Sequence, residues 1–107
     1  MVNYLLETFN CINAIRSNNF TTLKEKLSDD VKLTYWNGIL FSDEAFSIIE
    51  NFLKETYQIT ILDVKLYENR ISDIKFICDY MDEPIQYRIK LFWLNDKIIV
   101  INLLKND

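Results

Sequence analysis

The sequence predicts an α+β protein, helices first and a largely antiparallel sheet after them, on three observations. Residues 59–104 alternate apolar and polar side chains through four strand-length runs without a glycine. Two connections in that stretch, Asp82-Glu83-Pro84 and Asn95-Asp96, carry turn chemistry at hairpin spacing. Ahead of it, apolar groups recur at helical intervals in residues 2–17 and 43–56.

Along residues 2–17 the stripe is Val2, Leu5, Leu6, Phe9, Ile12 and Ile15, one face of a helix. Asn18-Asn19 breaks it, and Asn19 is placed to cap a short second helix, Phe20 to Leu27, with Phe20, Leu23 and Leu27 inward. Ser28-Asp29-Asp30 reads as a turn. Val31, Leu33 and Tyr35 then alternate with Lys32, Thr34 and Trp36, and Asn37-Gly38 signals a hairpin returning Ile39 to Phe41 beside the strand. Ser42 caps a third helix reaching about Thr56, with Ala45, Phe46, Ile49, Phe52 and Leu53 inward.

From Gln58 to Glu68 the alternation changes phase between Ile61 and Leu62, which a bulge near Ile61 repairs. The Asp82-Glu83-Pro84 connection pairs Tyr80 with Ile85, so Cys78 meets Tyr87, Phe76 meets Ile89 and Ile74 meets Leu91. That register also sets Lys75 against Lys90, a mildly unfavourable pair. The Asn95-Asp96 turn sets Trp93 opposite Ile98, Leu91 opposite Val100, Ile89 opposite Asn102 and Tyr87 opposite Leu104. One face of the sheet is thereby almost wholly apolar. Its reverse carries Arg88, Lys90, Phe92, Ile99, Ile101 and Leu103.

Composition narrows the chemistry. A chain of 107 residues, half of them hydrophobic, is expected to form one domain over 1–107. The formal net charge of −4 disfavours nucleic-acid backbones. No apolar run approaches membrane-spanning length and no basic leader precedes MVNYLLETF, so a soluble cytoplasmic protein is expected, with Cys11 and Cys78 as reduced, buried thiols. The chain contains no histidine, which rules out histidine-assisted triads and histidine-ligated metals; two cysteines cannot complete a zinc site. One glycine cannot make a phosphate loop. Neither a cofactor nor a metal is expected.

The helix-to-strand passage LKEKLSDDVKLTYWNG, the segment GILFSDEAFSIIENFLKE and the closing NDKIIVINLL stand in an order that resembles the nuclear transport factor two-like, or SnoaL-like, cone fold over the whole chain. The resemblance implies a curved antiparallel sheet wrapped around the N-terminal helices, a pocket at the mouth of the cone, and in many relatives a dimer through the convex face. The apolar face would then be concave. The convex face, with Ile77, Phe92, Ile99, Ile101 and Leu103, would join two copies. Enzymes of this group, such as ketosteroid isomerases, scytalone dehydratases and polyketide cyclases, usually hold an Asp or His base on or just after the first strand. The corresponding Leu33-Thr34-Tyr35-Trp36-Asn37 has neither.

Candidate ligand-binding residues on the concave face are Tyr35, Phe76, Cys78, Tyr80, Tyr87, Trp93 and Asn102. The tyrosines and Trp93 can stack on a flat apolar molecule, or simply form core. Asn102 is a strongly polar group on an apolar face, satisfied by a ligand or, near a strand end, by water. Asp63 enters the pocket if a two-residue Asn69-Arg70 turn precedes the next strand and leaves it if the turn has three residues. Burying Asp63 and Lys65 while exposing Leu62, Val64 and Leu66 costs several kcal/mol, which favours the outward placement. The expected function is binding of an apolar or aromatic small molecule by a homodimer without catalytic residues. The alternatives are an isomerase, dehydratase or cyclase using a pocket Asp and Tyr, and a protein-interaction module.

Overall fold

In the computed structural model, the described residues are 3–35, 38–41, 47, 50–51, 58–80 and 83–106, without the side chains of 38–41, 58, 80 and 106. Helix α1 (Tyr4–Arg16) is capped by Asn3, whose side chain accepts the Leu6 amide at 3.1 Å, and α2 (Phe20–Glu25) by Asn19, as its sequence suggested. After them come six strands: β1 (Leu27–Tyr35), β2 (Gly38–Phe41), β3 (Gln58–Tyr67), β4 (Ile71–Tyr80), β5 (Glu83–Leu94) and β6 (Lys97–Asn106). Residues 47, 50 and 51 are helical; the rest of the expected third helix, with Ala45, Phe46, Ile49, Phe52 and Leu53, lies outside the described residues.

The strands form one sheet in the order β2-β1-β6-β5-β4-β3. Every pairing is antiparallel except β1 with β6, so the sheet is mixed. The helices pack on its inner face over Val31, Leu33, Ile74, Phe76, Leu91, Trp93 and Ile98. This is the α+β architecture read from the sequence.

Register is where the structure departs from simple alternation. Around Asn95-Asp96 the expected pairs hold, Leu94 with Lys97 and Trp93 with Ile98, and Asn95 takes the positive φ of 56°. Past them the register slips at Ile99, so that Phe92 meets Val100, Leu91 meets Ile101 and Lys90 meets Asn102. The slip reverses the faces of the strand beyond Ile99. Ile101 and Leu103 are not convex but buried at 2% and 1% exposure, while Asn102 leaves the apolar face for the outer one beside Lys90 and Thr34. The β1–β6 ladder is irregular at the same place, with residues 28–31 of β1 set against Ile99 alone. The expected turn at Ser28-Asp29-Asp30 is therefore a bulge inside β1, and such bulges increase strand twist and bend the sheet around its contents.

Between β4 and β5 the register differs by two residues. Tyr80 pairs with Glu83, Cys78 with Ile85 and Phe76 with Tyr87, which preserves every face. Lys75 now faces Arg88 and Asp73 faces Lys90. Between β3 and β4 the turn has three residues, with Glu68 and Asn69 both at positive φ, and the β3 bulge falls at Leu62 between Ile61 and Asp63. Asp63 accordingly points outward opposite Lys75.

Helix α1 is also rolled relative to its sequence stripe. Thr8, Cys11, Ile12 and Ala14 are buried, whereas Leu5, Leu6 and Phe9 are exposed. The roll brings Tyr4 onto Trp93, ring centroids 5.4 Å apart, and Thr8 onto the hydroxyl of Ser72.

Candidate functional site

A cleft opens on the inner side between the C-terminal half of α1 and the strands β3–β5. Ile12, Ile15 and Arg16 line it from the helix, and Ile59, Ile61, Ile74, Phe76 and Ile89 from the sheet. Ile12 and Arg16 share a helix face because they are four residues apart. Ile59 and Ile61 reach it because the bulge at Leu62 restores the inward phase of β3. Its enclosed part is about 30 Å³, room for one or two water molecules, against walls that are hydrocarbon apart from Arg16.

Beyond Phe76, Cys78 and Tyr87 are buried in the core. Phe76 stacks on Tyr87 with centroids 5.8 Å apart, and burial, aided by the neighbouring Cys78, raises the Tyr87 phenol above its usual range. Cys78 is pushed up to about 12 by burial and then by Asp79, and Cys11 to about 11 by burial and then by Glu7. Both thiols are free and buried, and as thiols they are inert near neutral pH.

The opposite end of the inner face holds a buried polar chain. The indole Nε1–H of Trp93 donates to Ser72 Oγ at 2.8 Å, and Thr8 Oγ1 donates to the Tyr4 carbonyl at 2.6 Å. Ser72 and Thr8 are themselves hydrogen-bonded. Since the indole can only donate and a carbonyl can only accept, the proton between the two hydroxyls comes from Ser72. Both hydroxyl protons of this network are used.

Of the seven residues expected to form one ligand site, the six with described side chains do not come together around the cleft. Phe76 alone lines the cleft; Tyr87 and Cys78 pack behind it in the core. Trp93 is fully enclosed at the other end, its face on Tyr4 and its N–H on Ser72. Tyr35 is half-buried against the core from β1. Asn102 is on the outer face, and the Tyr80 side chain lies outside the described residues. Sequence reading missed Arg16 and the Thr8–Ser72 contact. The i, i+4 spacing of Ile12 and Arg16 was a signal for the first; the second depends on how α1 is rolled, which no local pattern gives.

No carboxylate lines the cleft among the described residues. Asp63 stands outside, its carboxylate 3.5 Å from Lys65. Among the described residues, no group of three or more Cys, Asp and Glu side chains is arranged to hold a metal, and no helix is long and apolar enough to cross a membrane.

The architecture is the nuclear transport factor two-like, or SnoaL-like, cone fold. It superposes on a steroid delta-isomerase from Pseudomonas aeruginosa with a TM-score of 0.86 at 10% identity, over 100% of this chain and 82% of that one. A protein from Kribbella flavida gives 0.82 at 11% identity over 92% and 83%. An NTF2-like protein of unknown function from Cytophaga hutchinsonii gives 0.73 at 10% over 92% and 86%. By sequence, the chain matches no protein-family model and no curated protein.

Proposed function

We propose that the chain is a binding protein built on the cone fold, working in the cytoplasm, and that its cleft takes a compact apolar group. The observation that carries this reading is the lining itself: six isoleucines, Phe76 and Arg16, with no acid among the described residues, in a chain without histidine. Base catalysis of the isomerase or cyclase kind needs a carboxylate within hydrogen-bond reach of a carbon acid. Asp63, the residue such a mechanism would recruit, is held on the outer face. Size argues the same way. Pockets for drug-sized ligands enclose roughly 300 Å³ or more, whereas about 30 Å³ suits a branched alkyl end and not a four-ring skeleton. The test is a titration of isoleucine-methyl-labelled protein with isopentanol, a neutral branched probe. Saturable shifts confined to Ile12, Ile15, Ile59, Ile61, Ile74 and Ile89 support the reading; a titration without them overturns it.

A second reading, homodimerisation through the convex face, is favoured by one outer row. Tyr67, Ile71, Phe92 and Val100 stand side by side across β3, β4, β5 and β6. They replace the patch expected from sequence, since Ile101 and Leu103 are internal and Ile77 is three rows away along β4. Light scattering should give twice the chain mass, and Phe92→Glu should return the monomer with its melting temperature kept. A monomer at every concentration removes this reading.

A further inference from the structure

We propose that a groove on the outer face of β4–β6 binds an acidic segment of a partner protein. The groove is lined by Lys75, Gln86, Arg88, Leu104 and Lys105 and measures about 370 Å³, more than ten times the enclosed part of the inner cleft, about 30 Å³. Among the described residues, three of the five lining side chains are cations and none is an acid.

The charge is local and only partly neutralised. Lys75 and Arg88 are direct cross-strand partners, an arrangement that places like charges about 5 Å apart at Cβ and destabilises the sheet. The nearby carboxylates offset only part of it, since Asp63 stands opposite Lys75 across the β3–β4 ladder and Asp73 stands beside Arg88. Asp63 lies 3.5 Å from Lys65, and Asp73 lies 3.3 Å from Arg88. Neither Lys75 nor Lys105 forms an ion pair among the described residues. A chain with a formal net charge of −4 thus keeps an excess of cations over this groove, Lys75, Arg88 and Lys105 against the neighbouring Asp63 and Asp73.

That contrast selects the partner. A nucleic-acid backbone extends its charge well beyond the groove and would meet the acidic remainder of the surface. A short run of Asp and Glu can be accommodated within it. An extended peptide repeats same-face side chains every ~7 Å, the interval that separates Gln86 from Arg88 along β5, so one carboxylate can meet the Lys75–Arg88 pair while the next reaches the Gln86 amide. Leu104 supplies an apolar floor for their methylene stems.

The experiment is a titration of the ¹⁵N-labelled full chain with hexaglutamate, read by amide shifts. The expected result is saturable change at residues 74–76, 86–88 and 104–105 that weakens at least about tenfold from low to physiological salt. The double variant K75E/K105E should also bind at least about tenfold less tightly. It should keep its melting temperature, because neither lysine holds an ion pair among the described residues, the new carboxylate at position 75 gains Arg88 opposite it to offset Asp63 on its other side, and Arg88, which supports Asp73, is untouched. Unchanged affinity in that variant overturns the proposal. So does equal or tighter binding of an oligothymidylate of the same charge, which would make the groove a phosphate-backbone site, or concentration-dependent shifts of the same amides without peptide, which would make its occupant a second copy. None of these outcomes bears on the inner cleft.

Discussion

Ser72 carries more of the inner structure than its size suggests. It accepts the only N–H of a fully buried indole and donates to Thr8, tying β4 to β5 and to α1. Ser72→Ala therefore strands the Trp93 donor and removes the donor to Thr8, and should cost about 1–3 kcal/mol in urea unfolding. Placed on Trp93→Phe, the same substitution should cost clearly less, because no indole is left unpaired; equal costs in both backgrounds would refute the donor chain. The parity of β4 makes Ser72 inward-facing in the sequence, but its partners depend on the roll of α1, so only half of this site was legible. The thiols give a second prediction at this scale. Cys11 and Cys78 lie at about 11 and 12 in the folded state against an ordinary 9.0. Raised values mean that the folded protein keeps protons the unfolded chain gives up. Their contribution is complete below pH 9 and is lost as pH rises through 11 to 12, by roughly 1.4 kcal/mol per pH unit per thiol. Lys26, raised by its hydrogen bond with Glu7, weakens the fold in the same direction at higher pH. Melting temperature against pH should fall above 9, and Cys78→Ala should flatten the fall while lowering the neutral value through its cavity. An unchanged slope would show that other groups control alkaline unfolding.

Among the elements, β6 is the one whose sequence was least able to declare its register. In KIIVINLL both parities are apolar, so a one-residue slip exchanges one acceptable face for another. The structure resolves the choice at Ile99, where both neighbouring ladders are irregular. Strands β4 and β5 were legible by face because their alternation is strict, and even a two-residue error in their pairing left inside and outside correct. The phase change in β3 likewise announced its bulge. Helix α1 was legible as a helix but not in its roll, since Leu5, Leu6 and Phe9 offer as apolar a stripe as the one buried. A pair of substitutions separates the two β6 registers. Ile101→Asp should destabilise by about 3–5 kcal/mol, because it buries a charge among Leu33, Leu91 and the core. Asn102→Asp on the outer face beside Lys90 should be within about 0.5 kcal/mol of the parent. The uninterrupted alternation would give the reverse order, so urea midpoints of the two variants decide between them.

At the scale of the whole molecule, composition disclosed the net charge of −4 but not its distribution, which depends on registers that alternation alone mispaired. Across β3–β5 the outer face sets Lys65, Lys75, Arg88 and Lys90 against Asp63 and Asp73. Asp73 is the central anion. It is 8% exposed, faces Lys65 on one side and Lys90 on the other, and draws Arg88 Nε to 3.3 Å without hydrogen-bond geometry at that oxygen. Its role is therefore mainly Coulombic, holding four cations at a spacing that they would otherwise oppose. Asp73→Asn keeps the shape and removes the charge. At an ionic strength near 0.02 M, where screening extends over about 20 Å, it should cost about 2 kcal/mol, discounted for the half-exposed Arg88. Near 0.5 M, with screening over only ~4 Å, most of that loss should be recovered. The parent, whose face is partly neutralised, should respond less to the same change. Urea midpoints of both proteins at the two salt concentrations measure the difference. A penalty independent of salt would mean that Asp73 acts through packing, and that the cations of the outer face do not repel one another strongly enough to require an anion among them.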